Sequence, residues 1–351
     1  MRPFRSLAVA AVVIAAAGIL TACTSPGAET AAHTASAAPD PLPSAPHLTG
    51  AAAALPKHVL TGYWQDFQNN AEPLKLAQVP RAYDLVAVAF ASADPATPGA
   101  VTFAIDADLA RAVGGYTDAD FIADVATLHA RGQHVILSVG GELGNVAVTD
   151  DASAAAFASS VEALMTKYGF DGVDIDLENG IDPVHLAKAI TAIAAARPGA
   201  IITMAPQTAD MADAAAPYLQ LALAVRDVLT IVNTQYYNSG SMVGCGNGVY
   251  EAGTIDFATA QTCAQVRAGL APQQLGIGFP AMHASADNGY LDPGKVDRAL
   301  TCLTEGTGCG NYVPSTRYRG LRGAMTWSIN WDASNDYAFA RSVSKQLHAL
   351  D

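Results

Sequence analysis

The segment Asp171-Gly-Val-Asp-Ile-Asp-Leu-Glu178 places four carboxylates within eight positions. Between them stand Val173, Ile175 and Leu177, which suit a buried strand. Carboxylates are costly to bury, and like charges side by side cost more. Strand side chains alternate with period two. Asp174, Asp176 and Glu178 therefore project to one side, and the three apolar residues to the other. Neighbours within the acidic set are about 6–7 Å apart along the strand. Confined together, they cannot all be ionised; the set must hold at least one proton and titrate as a coupled unit. A carboxyl that retains its proton near neutral pH is what general acid catalysis needs. Glu178 sits at the C-terminal end of the strand, where such an acid could reach a ligand.

Other uses of these acids compete with catalysis. A solvated edge strand would carry them cheaply, but the apolar partners and the central position oppose this. An EF-hand loop needs a glycine at its sixth position and a flexible loop, whereas Asn179 follows a strand pattern. A structural role, hydrogen-bonding the interior, suits Asp171 and Asp174 better than Glu178.

The elements that must position this segment are legible as alternating patterns. Candidate strands are His58–Trp64, Tyr83–Ala91, His134–Gly140, Gly172–Glu178, Ala200–Pro206, Leu229–Tyr236, Gln274–Pro280 and Gly323–Ile329. Most are nearly continuous in Val, Ile, Leu, Ala and Met, as parallel strands covered on both faces are. Helical patterns lie between them: Asp118–Arg131, Ala152–Tyr168, Asp182–Arg197, Ala212–Val225, Asp256–Ala268, Pro293–Leu303 and Ala333–Leu347. Gly132 and Gly169 fall where helices should end. Eight strands alternating with helices match a TIM (β/α)8 barrel, an α/β fold, over residues 57–351. Its active sites lie at the C-terminal ends of the strands, which is where Glu178 falls. A doubly wound open sheet is the alternative, but the first strand ends in Tyr-Trp-Gln-Asp and not in a glycine-rich phosphate turn.

Composition narrows the function. The net charge is −13, and no Lys/Arg run follows Arg5, which excludes a nucleic-acid partner. Arg2 and Arg5 precede an apolar run, Leu7 to Leu20, too short for a membrane span, so residues 1–22 read as an export signal. The run ends in Leu-Thr-Ala-Cys23, which resembles the lipobox of bacterial lipoproteins, with Cys23 lipidated. Residues 23–56 are rich in Ala, Ser, Thr and Pro and read as a disordered tether. The chain is thus expected to be exported, either anchored outside the cell membrane or secreted. Four further cysteines, Cys245, Cys263, Cys302 and Cys309, favour disulfides in an exported chain. Proximity in sequence favours Cys245–Cys263 and Cys302–Cys309 over the other connectivities. A zinc site is the rival, but there is no CxxC and the histidines are scattered.

Asp171-Gly-Val-Asp174-Ile-Asp176-Leu-Glu178 also resembles the DxxDxDxE signature of glycoside hydrolase family 18, the chitinases. Other segments agree in order: Ser138-Val-Gly140-Gly141, Met204-Ala-Pro-Gln207, Gln235-Tyr-Tyr237-Asn238 and Met325-Thr-Trp327-Ser328. Tyr63 lies where the first strand of such proteins supplies an aromatic. The resemblance spans Val59 to Trp331. It implies hydrolysis of β-1,4 bonds between N-acetylglucosamine units with no metal or cofactor, by substrate-assisted retention. Glu178 would protonate the glycosidic oxygen, and the sugar's own acetamide would attack, giving an oxazolinium ion. Asp176 would orient that acetamide, Asp174 would share a proton with Asp176, and Tyr237 would donate to the acetamide oxygen. Trp327 would floor the cleavage subsite; Tyr63, Gln235, Met204, Gln207 and Asn238 would line it, with Trp64 and Trp331 flanking. Strand parity allows only one of Tyr236 and Tyr237 to face inward, and the motif selects Tyr237. Asp171, Ser138, Gly140 and Gly141 are expected to be structural. The implied partner is chitin or its oligosaccharides, bound by a monomer. An endo-β-N-acetylglucosaminidase acting on N-glycans and a non-catalytic chitin-binding lectin are the alternatives; such lectins have usually lost the Glu or an Asp, and none is lost here.

Overall fold

The computed structural model describes residues 41–350. The signal-like segment 1–22, Cys23 and the start of the expected tether lie outside the described residues. Eight parallel strands form the barrel: β1 Val59–Gln65, β2 Leu85–Ala93, β3 His134–Gly141, β4 Gly172–Leu177, β5 Ile201–Met204, β6 Ile231–Gln235, β7 Leu275–Pro280 and β8 Gly323–Trp327. They pair in sequence order, and β1 pairs with both β2 and β8, which closes the sheet. Each expected strand is present, with ends shifted by a few residues.

Alternation divides every strand between two cores. Val173, Ile175 and Leu177 join an outer cluster with Trp64, Val86, Val88, Leu137, Ile202 and Met204, under the helices. An inner cluster holds Val59, Tyr63, Leu85, Ala87, Ala89, Ile136, Ile201, Ile231 and Met325. The inner set includes small residues because a barrel interior must also hold the side chains of β4.

Helices Asp118–Ala130, Asp151–Tyr168, Pro183–Ala196, Ile255–Ala268 and Pro293–Glu305 surround the barrel near the expected positions. Thr117, Asp150, Asp182 and Thr254 each cap a helix by accepting a backbone N–H at its start. Gly169 ends Asp151–Tyr168 in the left-handed conformation.

Several expectations need correction. The helix expected from Ala212 starts only at Pro217, because the residue before a proline is held extended. The pattern Ala333–Leu347 is two helices, Ile329–Ala333 and Ala338–Ala349. Asp336 and Tyr337 break it with positive φ, and Asp332 accepts the N–H groups of Phe339 and Ala340 at the new start. The crossover from β1 to β2 carries only a 3-10 turn, Leu76–Gln78. A short hairpin, Ser241–Val243 with Val249–Glu251, was not expected. The end of the supposed tether is also structured. Gly50–Ala54 is helical, and Ala52 and Leu55 join the inner cluster at the N-terminal ends of the strands. Alanine-rich sequence reads as a tether in isolation, but small side chains fit the narrow foot of a barrel.

Disulfides join Cys245 to Cys263 and Cys302 to Cys309, the pairing that proximity favoured.

Asp171, just before β4, lies far from the mouth. Its carboxylate accepts from His129 Nε2 at 2.9 Å, His134 Nδ1 at 3.2 Å and the Val135 N–H at 2.9 Å. Burial works against the charge, but these donors outweigh it and hold Asp171 well below the usual carboxylate range. The same contact raises His129 above its ordinary value. The stabilisation from Asp171 is present above the unfolded carboxylate pKa and is lost as pH falls through the lowered folded value. That from His129 is present below the unfolded imidazole pKa and is lost as pH rises through the raised folded value. Asp171→Asn should therefore destabilise by roughly 1–3 kcal/mol near pH 5.5 and by less near pH 8.5. Urea unfolding at the two pH values measures this; an equal cost at both would refute the coupling.

Candidate active site

The acidic face of β4 turns into the barrel as the alternation requires. Asp174 is fully buried. It accepts three hydroxyls: Tyr63 at 2.8 Å, Ser138 at 2.7 Å and Thr203 at 2.5 Å. Burial pushes its pKa up, and the three hydroxyls pull it only part of the way back. Asp176, one step nearer the mouth, is also enclosed but accepts only from Gln235 Nε2, at 3.0 Å. Burial, then the neighbouring charges of Glu178 and Asp174, push it well above the usual range. Asp176, with one amide donor, is thus pushed further toward its protonated form than Asp174, which three hydroxyls serve.

Glu178 follows the last residue of β4 and is half-exposed at the mouth. Each of its oxygens faces a glutamine amide: Oε2 accepts from Gln207 Nε2 at 3.0 Å, and Oε1 from Gln235 Nε2 at 3.3 Å. Tyr218 latches the strand beneath it, its hydroxyl accepting the Leu177 N–H at 2.7 Å. Tyr237 is buried inward in the inner cluster, and Tyr236 is buried outward against Phe257 and Phe279. Burial and the charges of Asp176, Glu178 and Asp174 hold the Tyr237 phenol well above its ordinary pKa, so it remains a neutral O–H donor.

The Ser138-Val-Gly-Gly segment has two separate tasks. Ser138 supplies a hydroxyl to Asp174. Gly140 and Gly141 have φ of 116° and 75°, and neither has room for a side chain. A Cβ on Gly140 would lie 2.4 Å from the Asp176 carbonyl oxygen, and one on Gly141 would lie 2.5 Å from the Phe90 ring. The glycines let β4 and Phe90 close on the site.

Phe90 leads to an aromatic floor. It lies nearly parallel to Trp327, with ring centroids 5.7 Å apart and planes 15° apart. Phe67 is nearly parallel to both, at 6.3 Å from Trp327 and 6.4 Å from Phe90. Tyr63 tilts against Trp327 at 5.7 Å. Three near-parallel rings with similar mutual spacing tile a surface, each partly exposed. Neither phenylalanine was expected from sequence. Phe90 follows Val86 and Val88 in parity and reads as outward-facing, but the register with β3 shifts between Ala89 and Ala91. That bulge re-aims Phe90 to the mouth.

Two expected lining residues belong elsewhere. Trp64 is fully buried, donates its Nε1–H to the Leu74 carbonyl and packs on Phe121. Met204 is likewise fully buried in the outer cluster. Both have the wrong parity for the interior. Trp331 packs with Ala71, Ala281 and Met282 beside Trp327 and supports the floor from the side. Asn238 pins the loop after β7, its Oδ1 accepting the N–H groups of Asp287 and Asn288. Among the described residues, no group of three or more His, Cys, Asp or Glu could hold a metal ion.

Comparison with known proteins agrees with this arrangement. The profile described as Glycosyl hydrolases family 18 matches residues 59–347. Chitinase Chi52 of Paenibacillus xylanexedens is 34% identical over 331 residues, which is 83% of this chain and 62% of Chi52. The chain thus spans less than two thirds of that relative's length. Among solved structures, one described as a Chitinase A of Streptomyces coelicolor is 53% identical with a TM-score of 0.81, covering 84% of this chain and 99% of that one. A chitinase of Chromobacterium violaceum is 33% identical with a TM-score of 0.77, covering 86% of each chain. The chain, closed into an eight-stranded barrel with its carboxylates stacked on β4, belongs to glycosyl hydrolases family 18.

Proposed function

We propose that the protein hydrolyses β-1,4 linkages between N-acetylglucosamine units of chitin and its oligosaccharides, with Glu178 as general acid and base. The observation that carries this is the unequal treatment of three neighbouring acids: Glu178 is at the mouth, while Asp174 and Asp176 are enclosed beneath it. A glycosidase that used an enzyme nucleophile would need a second carboxylate at the anomeric carbon. Asp174 is surrounded by hydroxyls and cannot reach it. Asp176 accepts from one amide, Gln235, and lies near enough to Tyr237 for its charge to act on the phenol. A carboxyl and a phenol facing the same space suit an amide, one binding its N–H and the other donating to its oxygen. An N-acetyl group held in that way is positioned to attack its own sugar's anomeric carbon. Glu178 first protonates the leaving oxygen, and the acetamide oxygen closes an oxazolinium ring. Glu178, now ionised, takes a proton from the water that opens it, with retention of configuration. Asp176 carries a proton in the unliganded site; its charge, restored by transfer toward Asp174, offsets the positive ring. The names of the relatives support the substrate class.

Purified protein should release short oligosaccharides from chitin oligosaccharides, and Glu178→Gln should lower kcat by roughly 10²–10⁴. Turnover by the variant equal to wild type would reject the assignment.

The aromatic floor extends past Trp327, so sugar faces should pack on Phe67 as well. Phe67→Ala should raise KM for oligosaccharides roughly threefold to tenfold with kcat little changed. An unchanged KM would remove Phe67 from the binding surface.

The chain is also proposed to be exported and lipid-anchored through Cys23. Cys23→Ala should release it from the membrane fraction; a wild type already free in the medium would exclude the anchor.

A further inference from the structure

Gln207 and Gln235 are partners in a parallel bridge that continues β5 against β6 beyond the named strands. Two further contacts pin the pair. The Gln235 N–H donates to the Pro206 carbonyl at 2.9 Å, and Thr208 Oγ1 donates to the Gln235 carbonyl at 2.6 Å. Both side chains therefore leave adjacent backbones in the same direction, toward Glu178. Gln235 is buried, and its Nε2 is shared among Asp176, Glu178 and the Ala205 carbonyl. Gln207 is exposed, and its Nε2 has one partner, Glu178 Oε2.

The geometry points to Gln207 as a positioning residue for the acid: with Gln235 it clamps both oxygens of Glu178, and it acts through Glu178 and not through the sugar. The inference rests on the reading of Glu178 as the general acid. Two amide donors, one on each oxygen, fix the plane of the carboxylate at the mouth. An amide carries a donor and an acceptor on one end, so Gln207 can turn over and accept from Glu178 once that group is protonated. A lysine in its place would serve only the ionised form. Gln235 cannot make the same turn without abandoning Asp176 and Ala205, which leaves the exposed Gln207 to follow the proton.

The titratable groups facing Glu178 are Asp176 beneath it on β4, with Asp174 one step deeper, and Tyr237 beyond β6. Tyr63 of β1 is bound to Asp174. All remain in a Gln207→Met variant, which keeps the side-chain length and removes only the amide. In that variant kcat should fall about tenfold with KM within twofold. A raised KM with kcat unchanged would make Gln207 an ordinary sugar contact and overturn the inference.

A second measurement does not need turnover. In protein labelled with 13C at the glutamate carboxyls, the Glu178 resonance is the one missing from Glu178→Gln. That resonance should shift in Gln207→Met as the carboxyl loses one side of its clamp; an unmoved resonance would overturn the inference. Failure of the wild type to cleave chitin oligosaccharides would instead count against the proposed function, with the carboxyl resonance still deciding the role of Gln207.

Discussion

The site depends on one buried carboxylate and the three hydroxyls that hold it. Enclosing an ionised Asp174 without partners would cost several kcal/mol even after relaxation. Hydrogen bonds to a charged group contribute about 1.5–3 kcal/mol each, so three of them can offset that cost. The donors come from three different strands: Tyr63 from β1, Ser138 from β3 and Thr203 from β5. Asp174 on β4 therefore ties opposite sides of the barrel together at one point. With Asp174 so served, the push toward protonation is displaced one step outward to Asp176, which has a single amide donor.

That displacement explains the graded environments along β4. Asp171, below the barrel, is held ionised by two histidines and a backbone N–H. Hydroxyls pull Asp174 back toward ionisation, burial and its neighbours push Asp176 toward protonation, and Glu178 reaches the mouth between two amides. Four acids of nearly identical chemistry thus have four different tasks. The strand's alternation keeps three of them on one face while Val173, Ile175 and Leu177 anchor the other face under the helices.

Much of this was legible because it follows from a period. Nearly continuous apolar runs gave the eight strands, alternation gave the two faces of β4, and parity together with the motif resemblance gave the inward Tyr237. It was misleading where the motif resemblance suggested a lining role against the parity: Trp64 neighbours the inward Tyr63, and Met204 neighbours the inward Thr203, so both must face the helices. Phe90 failed in the opposite way. Its parity is outward, and only the register shift at Ala89 and Ala91 turns it to the mouth. A bulge is a relation between two strands and leaves no mark in one strand's sequence. The helix Gly50–Ala54 was hidden for a related reason. Its alanines have little driving force of their own, and they become core only against the foot of a barrel that is distant in sequence.

The choice of uncharged donors at the mouth follows from the same proton. A lysine or arginine beside Asp176 would pair with it and hold it ionised, and three adjacent carboxylates would then share a charge that the interior could not carry. Gln235 donates to Asp176 and Glu178 without adding charge, so it fixes their relative position. The clamp on Glu178 stays neutral in the same way, since Gln207 and Gln235 are both amides, and the carboxylates of β4 keep their relative positions without an added charge in the barrel.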